Sequence, residues 1–183
     1  MFSIPPRGEL IVLTALLLIA AVFDIRSRRI PNWLTLSGVI AGILLNWYIG
    51  PPEAGVLFAL AGFGTGFAVY MFLYLIRAMG AGDVKLMAAV GAIVGLQRWF
   101  GIFFVTALVG GIAALVLVLL RGRAKKTLWN VGFILNEMRF GRAAYVSREE
   151  LDVRSKKAIG LPHGAVIAAA TMIYLAISAS LSR

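Results

Sequence analysis

The chain has 183 residues, 61% of them hydrophobic, with one histidine, no cysteine and a formal net charge of +10. A soluble domain cannot hide that much apolar surface, whereas a bilayer needs about 20 apolar residues per helical span, so the composition excludes an ordinary soluble protein and indicates an integral membrane protein. Without cysteine there is no disulfide framework or thiolate zinc site, and a single histidine cannot build a metal cage, so no metal and no cofactor is expected. The basic balance is read as orientation in the membrane and not as nucleic-acid binding, because the basic residues are not interleaved with base-stacking aromatics.

Six apolar runs follow along the chain, at about Gly8 to Phe23, Trp33 to Ile49, Ala54 to Ile76, Val84 to Leu96, Phe100 to Leu120 and Pro162 to Leu181. They predict one all-α membrane domain over residues 1–183, a six-transmembrane-helix bundle. Its connections are "DIRSRRIPN", "GPPE", "RAMGAGD", "QRW" and a basic stretch from Arg121 to Leu161. Prolines 31, 51, 52 and 162 mark helix starts and turns, as a fixed φ and a missing N–H require. Glycines four apart (Gly38 with Gly42, Gly62 with Gly66, Gly91 with Gly95) suit close helix packing where lipid gives no hydrophobic drive for association.

Counting Lys and Arg by side sets the orientation. The first, third and fifth connections hold Arg26, Arg28 and Arg29, then Arg77 and Lys85, then ten more between Arg121 and Lys157, against Arg7, Arg98 and Arg183 on the other side. The positive-inside rule places those three connections in the cytoplasm and both termini outside. The basic cluster follows the first apolar run instead of preceding it, so that run reads as a retained helix and not a signal peptide. In the 121–161 loop, Leu128, Val131, Leu135 and Met138 recur at helical spacing opposite Lys126, Asn130, Glu137 and Arg139, which predicts an amphipathic helix on the inner leaflet between the fifth and sixth spans.

Two acids lie at the inner helix ends, Asp24 closing the first run and Asp83 opening the fourth; the other acids are assigned to the tails, the outer turn and the long loop. The fourth run gives only about 20 Å of helix against roughly 30 Å of hydrocarbon, so Asp83 is expected about 10 Å below the inner surface, in a wet pocket open to the cytoplasm. Asp24 has a milder version of the same shortfall. Gly80 and Gly82 are expected to allow a tight turn and a close approach before Asp83. The alternative readings are a helix cap for Asp83 and a simple pairing of Asp24 with an arginine. Two carboxylates brought together in such a pocket cannot both ionise easily, and a pair sharing a proton can activate water and protonate a leaving amine.

"DIRSRRIPN", "GAGDVKL" about sixty residues later and "LPHGA" at the last helix together resemble the type IV prepilin peptidases, membrane aspartic proteases of the GxGD class. The resemblance extends over almost the whole chain. It implies that Asp24 and Asp83 are catalytic, that the I-P-N element with Arg29, Pro31 and Asn32 supports the site together with Gly80, Gly82 and Lys85, and that the substrate is a pilin precursor. The precursor's basic leader would be cut off at the cytoplasmic face of a bacterial inner membrane. Under this resemblance Asn32 would donate to a carboxylate or hold the loop, and Lys85 would neutralise the acids or attract an acidic substrate residue, with an interfacial snorkelling lysine as the plain alternative. His163 is expected as a helix-start or interface residue.

Larger bifunctional members carry an N-terminal cytoplasmic region with paired CxxC motifs and methylate the new pilin N-terminus. That region is not in this sequence, so peptidase activity without methylation is expected, as in the short Tad or Flp-type enzymes; the archaeal preflagellin peptidases share the short frame. A serine protease lacks its constellation here. The non-enzymatic rival, a proton or cation transporter or channel subunit using the same aspartates, requires polar groups through the membrane, and the outer halves of the runs read as almost free of them. Monomer and homodimer both stay open.

Overall fold

Prolines stand where helices begin. Pro6 precedes α1 (Arg7–Ser27), Pro31 precedes α2 (Asn32–Ile49), and Pro51 precedes α3 (Pro52–Leu75), which has proline in its first turn. A fixed φ suits these positions, where the missing N–H would have no intrahelical partner. The computed structural model describes residues 6–122, 124–140 and 161–181. Three more helices complete it: α4 (Ala81–Leu120), α5 (Ala124–Arg139) and α6 (His163–Leu181). Every regular element among the described residues is helical. Five of them, all but α5, are long and apolar enough to cross a membrane.

The fourth and fifth apolar runs form one 40-residue element with a single non-helical residue, Gly95, at φ 72° and ψ 176°. A continuous helix of that length would extend about 60 Å and hold Trp99 and Met87 about 18 Å apart. Instead the Trp99 indole Nε1 donates to the Met87 carbonyl at 3.1 Å, so the chain folds back on itself at Gly95. The break falls before "QRW", not within it. Only glycine enters this left-handed backbone without strain, and a Cβ there would also collide with the Phe58 ring. Trp99 then stacks on Phe103 at 5.3 Å between centroids and meets Tyr70 edge-on, filling the bend with aromatic surface.

The first leg of α4 is the centre of the bundle. From Val84 to Gly95 every residue except Lys85 is buried. Its small residues explain how so many neighbours reach it: a Cβ on Gly42 would lie 2.7 Å from the Ala92 backbone, and Gly62 and Gly91 meet backbone to backbone. The glycine pairs thus serve close packing, as their spacing suggests.

Contacts also fix the direction of each helix. Asn46 Nδ2, near the end of α2, donates to the carbonyls of Gly42, Ala92 and Ile93 at 2.8, 3.2 and 3.1 Å, beside the Gly95 bend. Arg98 Nη1 donates to Glu9 Oε2 at 3.0 Å, joining the start of α1 to the same end. At the other end lie the last turn of α1, the starts of α2, α4 and α6, and the return of the second leg of α4. Glu9 corrects the expectation that the remaining acids sit in tails and loops, since it is buried within α1 and ion-paired. With buried Asn46 and Ser178, it also corrects the picture of nearly apolar outer halves.

The basic 121–161 stretch begins as predicted with a helix, α5, on which Leu128, Trp129 and Val131 are exposed. Its remainder from 141 to 160 lies outside the described residues.

Candidate active site

Asp24 sits in the last turn of α1, which runs on to Ser27 and stops when Arg28 enters the left-handed region (φ 54°), its N–H donating to the Asp24 carbonyl at 2.9 Å. The Asp24 side chain is buried. One of its oxygens, Oδ2, accepts the backbone N–H groups of Gly164 at 2.8 Å and Ala165 at 3.3 Å, in the first turn of α6. Those amides have no intrahelical acceptor and carry the positive end of the helix dipole, so they are natural partners for a carboxylate. Asp24 is therefore held by backbone from the far end of the sequence and, among the described residues, not by an arginine.

Asp83 occupies the third position of α4, and its Oδ2 accepts the Gly80 N–H at 3.2 Å. The helix-cap reading is correct in this respect, yet the same carboxylate also faces an open space. Among the described residues neither Oδ1, of Asp24 or of Asp83, has a hydrogen-bond partner. Both aspartates line one cavity of about 630 Å³. Residues separated by 59 positions in the sequence thus share a hollow because α1 ends, and the central leg of α4 begins, at the same level of the bundle.

Of the supporting residues expected from the sequence, Arg29, Asn32, Gly80, Gly82 and Lys85 line this cavity. Pro31 is not on its wall and serves as the residue capping α2, at φ −63°. Lys85 Nζ donates to Asn32 Oδ1 at 2.8 Å, so these two side chains meet each other and not a carboxylate. Neither Gly80 nor Gly82 has the positive φ that a tight glycine turn implies; the left-handed residue in this connection is Arg77, at φ 62°. What they supply is room: a Cβ at 80 would press on Asp83 Oδ2 at 3.3 Å, and one at 82 would touch Ile30.

His163, Gly110 and Ala114 also line the wall, which no pattern of residues along the chain announced. His163 opens α6 as expected, and its Nε2 is buried without a partner among the described residues. "LPHGA" marked the place without revealing that its glycine and alanine amides grip Asp24. Beyond the Lys85–Asn32 bond lies a second, apolar hollow of about 380 Å³ lined by Trp33, Leu36, Phe63 and Phe67, and the two spaces share Asn32 and Lys85 in their walls. A larger hollow of about 1010 Å³ runs along α5, lined by Lys125, Trp129, Phe133 and Asn136 among others; among the described residues no carboxylate or imidazole lines it.

A cavity with two carboxylates, each with an oxygen to spare, suits general acid–base attack of water on a polar bond. Comparison with known proteins bears on which bond. Residues 11–115, from α1 into the second leg of α4 and including both aspartates, match the type IV leader peptidase family. The chain belongs to that family. The prepilin leader peptidase/N-methyltransferase of Neisseria gonorrhoeae is 35% identical over 118 residues, 62% of this chain and 41% of the relative. The protein of that name from Klebsiella pneumoniae is 40% identical over 101 residues (52% and 43%), and that from Escherichia coli K12 is 34% identical over 127 residues (66% and 56%). The chain therefore spans roughly half the length of these relatives or less. No solved structure matches. As a member of the type IV leader peptidase family with five helices long and apolar enough to cross a membrane, it is a multi-pass protein of a bacterial inner membrane.

Proposed function

We propose that this leader peptidase is an aspartic endopeptidase that removes the basic leader from type IV pilin-like precursors at the cytoplasmic face, with Asp24 and Asp83 as its catalytic pair. The observation that carries this reading is their shared cavity, in which each acid keeps one oxygen unengaged. One carboxylate takes a proton from water as its oxygen bonds to the scissile carbonyl carbon. The other, protonated, supplies the proton that the amide nitrogen needs to leave as the C–N bond breaks. The two acids act as one coupled pair, so the proton belongs to the pair.

In this reading the folded-back α4 counts as two crossings, giving six, and the site end with its arginines faces the cytoplasm. The apolar segment after the scissile bond lies in the neighbouring groove of Trp33, Phe63 and Phe67. α5 rests on the inner leaflet with Leu128 and Trp129 in the acyl boundary. The activity proposed is the hydrolytic one; the methyl-transfer half of the relatives' names belongs to those proteins.

The test is incubation of the purified full chain, in lipid or detergent, with pilin-like precursors, read by mass spectrometry as loss of the leader. Wild type should cleave, and folded Asp24→Asn and Asp83→Asn should each fail. Full cleavage by either variant would overturn the pair.

A further inference from the structure

One apolar side chain lies between the backbone that holds Asp24 and the glycine that precedes Asp83. Ile30 lies in the short connection between α1 and α2, flanked by Arg29 and Pro31, yet it is buried. On one side it rests against Gly82, the residue before Asp83, where a Cβ would stand 3.4 to 3.5 Å from Ile30 Cβ, Cγ1 and Cδ1. On the other its Cδ1 would be 3.0 Å from a Cβ on Gly164, the residue whose N–H holds Asp24 Oδ2 at 2.8 Å. The start of α4 and the start of α6 therefore close on a single isoleucine from both sides.

Two properties make this side chain a stiff spacer. The following Pro31 disfavours helical backbone at Ile30, and a β-branched residue has few χ1 options. Gly82 and Gly164 bring backbone directly onto it, with no side chain to absorb movement. The geometry points to Ile30 as a positioning residue: it sets the separation of Asp24 and Asp83 by holding Gly82 and Gly164 apart. This rests on the peptidase reading for its kinetic consequence, but not for its geometric one. Truncation to Ile30→Ala would let the two helix starts close or slip. Ile30→Val removes only Cδ1, the atom nearest Gly164, and so loosens the Asp24 side while leaving most of the Gly82 contact.

The chain contains no cysteine, so the pair Asp24→Cys and Asp83→Cys can be cross-linked with bis-thiol reagents of graded span without background. With Ile30 present one span should dominate; adding Ile30→Ala should shift or broaden that preference, and Ile30→Val should do so less. In parallel, with both aspartates intact, Ile30→Ala should lower kcat for leader removal by roughly tenfold or more with KM little changed, since a misplacement of about 1 Å is costly in rate. Thermal unfolding of each variant serves as the control. An unchanged span preference in folded Ile30→Ala overturns the spacer, as does a kcat loss that merely tracks lost stability. If wild type removes no leader, the peptidase reading fails, while the cross-linking result still decides the role of Ile30.

Discussion

The two ends of the bundle treat a buried carboxylate in opposite ways. At one end Glu9 is closed by the Arg98 guanidinium at 3.0 Å. At the other, Asp24 and Asp83 receive only backbone N–H groups, each on one oxygen, and face a cavity. If Asp24 and Asp83 are the proposed catalytic pair, the contrast separates structural acids from chemical ones more clearly than burial does, since all three are similarly buried. A guanidinium partner fixes a charge in place, whereas a helix-terminal amide orients a carboxylate and leaves it able to exchange protons.

The sharpest way to break this contrast is to neutralise each acid. Asp24→Asn or Asp83→Asn should reduce leader cleavage by roughly a thousandfold or more while the bundle stays folded, since removing a member of a catalytic unit costs on this scale; mass spectrometry and circular dichroism read the two halves. Glu9→Ala should do the reverse. It breaks the buried pair with Arg98 and should cost about 2 to 4 kcal/mol in detergent unfolding, with cleavage by the folded fraction unchanged. If Glu9→Ala abolished cleavage in folded protein, the division between the ends would collapse.

A smaller effect is expected at Asn46, whose amide serves three carbonyls beside the Gly95 bend. Asn46→Leu should destabilise by about 1 to 2 kcal/mol and leave KM for the precursor unaltered. The smallest concerns Arg28, held left-handed at the end of α1. Arg28→Gly should relieve strain and raise stability by about 0.5 to 1 kcal/mol, measured by the midpoint of thermal unfolding.

Much of the frame was legible because membrane helices announce themselves by apolar length and prolines by position. The starts of α2, α3 and α6 fall where Pro31, Pro51 and Pro162 indicate. Asp24 and Asp83 were legible because a charge at the end of an apolar run is conspicuous. The bend at Gly95 was not, since a glycine inside an apolar run looks the same whether it packs or turns, and the polar triplet at 97–99 pulled the expected break past it. Nor was the grip of Gly164 and Ala165 on Asp24. Backbone amides have no signature in the side-chain alphabet, and the contact joins residues 140 positions apart. Lys85 and Asn32 line the same cavity as the acids, but their mutual bond depends on register between α2 and α4, which no local pattern encodes.

The reversal at Gly95 has a consequence for how the protein is made. Residues 81–94 form a leg of about 20 Å, shorter than the hydrocarbon layer it must occupy. Such a segment is poorly suited to being threaded and released alone, so it is expected to enter the bilayer together with the following leg, as a preformed hairpin. Biogenesis would then deliver Asp83 to its depth only once Gly110 and Ala114 arrive beside it, coupling completion of the reactive hollow to the moment of insertion.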